Sequence, residues 1–450
     1  MSETMGRKER SLGDRPLIPT YFRLSLPVVL GSIVTIVYNL ADTYFIAQTG
    51  NALLVAGVSV CAPLFMILMA FGNIFGQGGS SLISRLLGQK RPDEVRHVSA
   101  FCFWIALAVG AVTGALLLLV RDPFLTLLGS SADTMPYARE YGTVLMLGAP
   151  LIVVNFIHMN LLRCEGMAGL SMCGTVTGAL VNVVLDPLLI PSMGAAGAAI
   201  ATVIGYLCSD AFLLFIVLTR SASLSVRPTL KTNGTFLGSV LSIGITAAIT
   251  NIASSVCTLL VNQKLLACGD DRIAAMGIVL KVTMIVQMIL VGFSFGGIPL
   301  FGFLSGAGER EKSRRLLRFC LLFLGALSLA MTGLVFLLSE SLLRVITPDG
   351  NLVAAGVPML RWQVAGSVFA GVVMLSTCVC QASGKALPAL ALSLSRQGVV
   401  FFAVLLIASA LFGYKGILAS QCAADLLSAA LAACILLSFR RAPERDGMES

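Results

Sequence analysis

Runs of about 20 apolar residues, separated by short polar connections, recur along this chain and limit what it can become. We place twelve, at roughly 18–45, 52–78, 97–120, 138–161, 167–190, 195–219, 237–265, 274–302, 316–338, 356–380, 386–411 and 414–438. A backbone inside hydrocarbon must satisfy its own N–H and C=O groups, so each run reads as a transmembrane helix. The connections carry turn residues, as in Gln48-Thr49-Gly50-Asn51, Pro191-Ser192-Met193-Gly194 and Pro348-Asp349-Gly350. Composition agrees: 57% of the residues are apolar and 12% charged, against about 25% charged in soluble domains. A chain this apolar cannot stay solvated as a disordered segment either. The first sixteen residues are polar and the run behind them is too long for a signal-peptide core, so no cleavage is expected.

The net charge of +9 does not point to nucleic acid, because Lys and Arg punctuate the gaps between apolar runs rather than clustering on one face. Counted by alternate sides, 22 basic residues lie with the N-terminus, seven lie opposite, and Lys281 and Arg396 lie within spans. The positive-inside rule then makes both termini cytoplasmic in a multi-pass cell-membrane protein. The 12 cysteines fall mostly inside apolar runs with no CxxC spacing, and read as small apolar filler.

The halves repeat. Gly57, Gly72, Gly76 and Gly88 recur as Gly277, Gly292, Gly296 and Gly308, Gly194 and Gly197 as Gly413 and Gly416, and Gly148 and Gly166 as Gly366 and Gly384. A displacement of six spans keeps orientation, so the repeat is parallel, a transporter arrangement. The expected fold is an all-α membrane protein of twelve transmembrane helices in two pseudo-symmetric six-helix bundles. The expected divisions are a cytoplasmic tail (1–17), an N-lobe (18–219), a cytoplasmic linker (220–236), a C-lobe (237–438) and a second tail (439–450). Helix hydrogen bonds must be lost or rerouted near Pro27, Pro63, Pro150 and Pro299, making these candidate hinges.

Polar groups inside spans are costly and therefore informative, about 2.5–3.5 kcal/mol or more each if charged at mid-membrane. The first half has Asp42, Asn182, Asp186, Thr202 and Asp210. Asn182 and Asp186 are four apart and share a helix face, and at about 1.5 Å per residue both reach the depth of Thr202 and Asp42. Two carboxylates, an amide and a hydroxyl can thus converge in one bundle. The second half matches neither Asp42 nor Asp186. It carries Asn251, Asn262, Gln263, Lys281, Arg396, Gln397 and Asp425, and Arg396 with Asp425 at similar depth reads as a structural ion pair. Lys281 either snorkels to the outer interface or contacts substrate.

Ser25-Leu26-Pro27 through Tyr38-Asn39-Leu40-Ala41-Asp42-Thr43-Tyr44-Phe45-Ile46 resembles the first span of the MATE (multidrug and toxic compound extrusion) transporters. Gly78-Gly79-Ser80-Ser81-Leu82-Ile83-Ser84-Arg85, Asn182-Val183-Val184-Leu185-Asp186-Pro187, Gly194-Ala195-Ala196-Gly197 and Arg396-Gln397 resemble further family segments. Gly296-Gly297-Ile298-Pro299 through Gly306 departs from the family pattern by lacking its usual Gln before Pro. The resemblance, on the side of the DinF-like and MepA-like branches, implies export of cationic or amphipathic small molecules in exchange for Na⁺ or H⁺, with no other cofactor. It implies Asp42, Asn182, Asp186 and Thr202 as the coupling site. Tyr38, Asn39, Asn155, His158 and Lys281 are substrate-cavity candidates. Hard oxygen donors independently suit an alkali cation, and burial equally favours a proton on such carboxylates. The expected partners are drug-like molecules and membrane lipids, with the chain a monomer. A lipid-linked saccharide flippase remains the alternative, although it would want more basic cavity residues. A membrane-embedded enzyme would need a nucleophile–base pair or metal ligands, whereas His97 sits in a loop and His158 stands alone in its span.

Overall fold

The apolar runs become helices because a chain rich in Leu, Ala, Val and Ile has no other way to close its backbone hydrogen bonds away from water. A computed structural model describes residues 16–228, 234–266, 270–347 and 349–441. Most of both expected tails, residues 229–233 of the linker, Pro348 and the side chain of Asn262 lie outside the described residues. The described residues form helices and no strand. In order these are α1 (Leu17–Ala47), α2 (Ala52–Val60), α3 (Ala62–Gly88), α4 (Pro92–Leu119), α5 (Arg121–Leu127), α6 (Met135–Cys164) and α7 (Ala168–Arg220). Then come α8 (Gly234–Leu266), α9 (Asp270–Phe295), α10 (Ile298–Gly306), α11 (Arg310–Leu337), α12 (Ser339–Ile346), α13 (Gly350–Ala382), α14 (Ala386–Gln397) and α15 (Val399–Arg441).

Among the described residues, ten apolar helical stretches are long enough to cross a membrane, and two of them, Ala168–Arg220 and Ala386–Phe439, have 53 and 54 residues. Each of these two is a pair of spans joined at one glycine. Gly194 (φ 57°, ψ −130°) and Gly413 (φ 56°, ψ −131°) are non-helical where all their neighbours are helical, a conformation that a Cβ would penalise. The chain reverses there. Asn182 and Thr202 are bonded at 3.5 Å, whereas 20 residues of straight helix would separate them by about 30 Å. Twelve spans result, and the expected turn Pro191–Gly194 contracts to the glycine alone, since Pro191 stays inside α7.

The parallel repeat is visible in the helix ends. Pro92 and Arg310, Arg121 and Ser339, Cys164 and Ala382, and Ala168 and Ala386 mark the same boundaries 218 residues apart. One glycine pairing changes accordingly. Gly88 ends α3 and Gly306 ends α10, so Gly88 corresponds to Gly306 rather than Gly308. The positive φ after these ends falls on Lys90 and Gly308. Prolines also act differently from expectation. Pro63 and Pro299 stand in the first turns of α3 and α10, where the missing N–H costs nothing, and they mark breaks in spans 2 and 8. Pro27 and Pro150 lie inside α1 and α6.

Two compact units divide the chain. The first takes Met1–Ala248, Gly296–Arg310 and Ala382–Gly384. Its core joins α3, α4, α6 and α7 through fully buried Leu64, Leu68, Ile83, Cys102, Leu145, Ile157 and Leu213. The second takes Ile249–Phe295, Glu311–Gln381 and Lys385–Ser450, with Val373, Cys380, Ala389, Leu392 and Ala432 packed together. At the entry to α2, the Asn51 side chain accepts hydrogen bonds from the backbone N–H groups of Leu53 and Leu54, so the first turn signal is a helix cap.

Polarity is inverted relative to a soluble protein. On α7 the stripe Leu180, Val184 and Leu188 is 61%, 61% and 64% exposed, while Asn182 and Asp186 are buried. A face like that is stable only against lipid or another apolar surface.

Candidate functional site

The reversal at Gly194 sets the ascending half of α7 against its returning half. Gly178 and Gly205 meet at the crossing, where a Cβ on either would press on the other's carbonyl. That close approach brings the polar positions together. Asn182 Nδ2 lies 3.4 Å from Asp186 Oδ1 and 3.5 Å from Thr202 Oγ1, and donates toward both. The Thr202 hydroxyl donates to the Ala198 carbonyl at 3.0 Å, leaving lone pairs toward the amide. Asp42 comes from α1, which packs along α7, near enough to Asp186 for the two charges to interact.

Three oxygens in this group have no hydrogen-bond partner although each is shielded from solvent: Asp42 Oδ1, Asn182 Oδ1 and Asp186 Oδ2. Buried acceptors are normally satisfied. Three such oxygens on neighbouring segments, two of them carboxylate, form an environment that favours a positive charge. The donor set is hard and free of sulfur and imidazole, which fits an alkali ion or a proton better than a transition metal.

Two tyrosines absent from the sequence-level site extend the network. Tyr206 of α7 stands one helical turn beyond Thr202, and Tyr141 of α6 packs against Ile190, Ala195 and Ala198 of α7. Tyr206 was legible as the position four residues beyond Thr202; Tyr141 was not, because nothing local ties it to α7. Of the cavity candidates, Asn155 is buried and donates from Nδ2 to Ser209 Oγ at 2.8 Å and Asp210 Oδ1 at 2.9 Å. His158 is buried with its ring 5.2 Å from that of Phe103, and its Nδ1 has no partner. Asn39 is exposed on α1, and Lys281 is exposed on α9 in the second unit.

In the second unit, Arg396 Nε donates to Asp425 Oδ1 at 2.9 Å, with both side chains buried. The pair is wrapped further: Arg396 Nη2 donates to Gln287 Oε1 at 3.0 Å, and Gln421 Nε2 to Asp425 Oδ1 at 3.1 Å. Gln421 is one helical turn before Asp425 and could have been anticipated. Gln287 comes from α9 and has no local signal. Helix α14 breaks at Gly398, two residues after Arg396.

The MatE family model matches residues 27–188 and 243–407, one stretch in each half of the chain. The chain belongs to the MatE family. Among curated relatives, it is 27% identical over 430 residues to the multidrug export protein MepA of Staphylococcus haemolyticus, covering 95% of each protein. It is 28% identical over 428 residues to MepA of Staphylococcus aureus strain NCTC 8325, covering 94% of each. Solved structures share the fold. A MOP superfamily transporter from Pyrococcus furiosus matches with a TM-score of 0.89 at 22% identity, covering 96% of this chain and 97% of that one. A variant of the Vibrio cholerae MATE transporter VcmN matches with 0.90 at 20%, covering 96% and 99%. The MatE-family chain is thus a multi-pass membrane transporter, with the twelve-helix architecture expected from its apolar runs.

Proposed function

We propose that this chain is a secondary active multidrug exporter. It moves cationic or amphipathic small molecules out of the cell in exchange for Na⁺ or H⁺ by alternating access of its two six-span halves, 18–219 and 237–438. The termini face the cytoplasm, and the chain acts as a monomer among membrane lipids. The names of the MepA relatives support the substrate class. The observation that carries the coupling mechanism is the set of three unpartnered buried oxygens on Asp42, Asn182 and Asp186 beside Thr202.

On this reading the coupling ion satisfies those oxygens when it binds, drawing α1 and the ascending half of α7 together. When it leaves, two carboxylates are left facing each other in a poorly solvated place, which favours a looser arrangement of the same helices. Pro187, next to Asp186, lacks a backbone donor and weakens α7 where that change is felt. An ion that prefers one arrangement biases the population, and a substrate that prefers the other is moved at the ion's expense.

The test is efflux of a fluorescent organic cation from proteoliposomes under an imposed Na⁺ or H⁺ gradient, one at a time. Gradient-driven movement with one of the two ions is expected. Movement that ignores both gradients would overturn the antiport reading.

A further inference from the structure

A second carboxylate in the first unit is not used by the site above. Asp210 lies on the returning half of α7, eight residues or ~12 Å of helix beyond Thr202. It is 8% exposed, Oδ1 accepts from Asn155 Nδ2 at 2.9 Å, and Oδ2 is shielded with no hydrogen-bond partner. The same Asn155 amide donates to Ser209 Oγ at 2.8 Å, so its donor capacity is spent and Oδ2 receives nothing from it. Asn155 is itself 6% exposed and Ser209 3%. The two helices are fixed around a carboxyl group with one oxygen satisfied and the other open.

Thr202, Tyr206 and Asp210 are spaced four and four, so they form one stripe on the helix. Tyr206 stands between Thr202 and Asp210 on that stripe. A polar line therefore runs from the cluster at Asn182, Asp186 and Thr202 to Asp210. The acids, tyrosines and histidine on the packed elements are Tyr21, Tyr38, Asp42 and Tyr44 of α1, Tyr137, Glu140, Tyr141 and His158 of α6, and Asp186 and Tyr206 of α7 itself, with cysteines at Cys164, Cys173 and Cys208. The basic residues of these helices, Arg23, Arg139, Arg163 and Arg220, sit within about two turns of a helix end. No ion pair is formed by Asp210 among the described residues.

An ionised carboxylate in this position would be uncompensated, which proteins avoid by pairing the charge or protonating the group. An alkali ion needs several oxygen ligands, and here the neighbours are one amide already donating and one hydroxyl. A proton needs only Oδ2. We propose that Asp210, oriented by Asn155, is a proton-binding station in the first unit, distinct from the Asp42–Asp186 cluster and joined to it by the Thr202–Tyr206–Asp210 stripe. Loading forms an O–H bond at Oδ2, with the proton taken from hydronium and water left behind. Release returns the proton to water and leaves the carboxylate. This assignment stands whether or not Asp42 and Asp186 couple transport.

Infrared difference spectroscopy on the full-length protein with isotope-labelled aspartate, titrated with acid and base and separately with Na⁺, reads the carboxyl directly. At neutral pH an aspartic-acid C=O band is expected that persists in the Asp42→Asn, Asp186→Asn double variant and is missing in Asp210→Asn. Asn155→Ala removes the donor to Oδ1, so the C=O band should move to higher frequency. If Asp210→Asn does not fold, Asp210→Glu should move the band out of the labelled set. A band unchanged in Asp210→Asn, or unmoved in Asp210→Glu, would overturn the assignment. So would a band that vanishes on adding Na⁺ at constant pH, which would make the group an alkali-ion ligand.

Discussion

Both units bury carboxylates, and they treat them in opposite ways. In the second, Asp425 is met by the Arg396 guanidinium and by Gln421, while Gln287 takes a further guanidinium N–H. In the first, Asp42, Asp186 and Asp210 have amides and hydroxyls near them and form no ion pair among the described residues. A fixed counter-charge neutralises Asp425 permanently, so its energy does not depend on what the solution supplies. The three acids of the first unit can be neutralised only by something mobile, a proton or a cation. The two units of a duplicated scaffold thus differ in whether a buried carboxylate has a fixed counter-charge.

The sharpest way to break that comparison is to remove the acids of the first unit. Asp42→Asn and Asp186→Asn keep shape while removing charge, so gradient-driven export should fall by at least ~10-fold, the cost of losing one charged interaction of about 1.4 kcal/mol. Thermal stability should stay within about 1 kcal/mol of the parent, because no partner is stranded. Proteoliposome efflux paired with thermal unfolding reads both, and parent-rate export in both variants would remove the coupling role.

Asp425→Ala should do the reverse. It strands the Arg396 guanidinium and should cost about 3–5 kcal/mol, seen as poor expression and early thermal unfolding. Arg396→Met combined with Asp425→Leu should recover most of that loss, since no unpaired charge remains. A double variant as unstable as the single one would mean that the pair does more than neutralise itself.

The two reversals offer an internal control. Gly194→Ala and Gly413→Ala each place a Cβ at a φ near 57°, with an expected cost of about 1–3 kcal/mol. Similar losses in thermal stability would show the halves equivalent here. A larger loss of transport for Gly194→Ala would follow because its reversal is what brings Asn182 to Thr202.

The smallest effect is expected at the short helix α5 of the first unit. Asp122 is partly desolvated, which alone would raise its pKa, but hydrogen bonds and charge from Arg121 and Arg139 outweigh this and hold it below the usual carboxylate value. A depressed folded-state pKa contributes stability above the unfolded value near 3.9 and loses it as pH falls through the folded value. Asp122→Asn should therefore flatten a slight fall in melting temperature on acidification below about pH 4. An unchanged acid profile would mean that these exposed bonds contribute nothing measurable.

The twelve spans were legible in the sequence because hydrocarbon imposes a length and a polarity on any segment that crosses it, and no neighbour is needed to enforce either. The Asn182–Asp186 stripe was equally local, set by the helical period, and the same period places Tyr206 and Asp210 in line with Thr202. The glycine repeat announced the duplication, but its register at Gly88 was two residues out, because glycines recur for packing as well as for helix ends. What only the tertiary structure decided is which stripes meet. Asn182 reaches Thr202 because Gly194 reverses the chain and Gly178 lies against Gly205, and Tyr141 packs against Ile190, Ala195 and Ala198 from a separate helix. Gln287 completes the Arg396–Asp425 pair across more than a hundred residues of chain. Local periodicity fixes the direction a side chain takes from its helix, but its partner depends on how helices cross, and that is set by the packing of all of them at once.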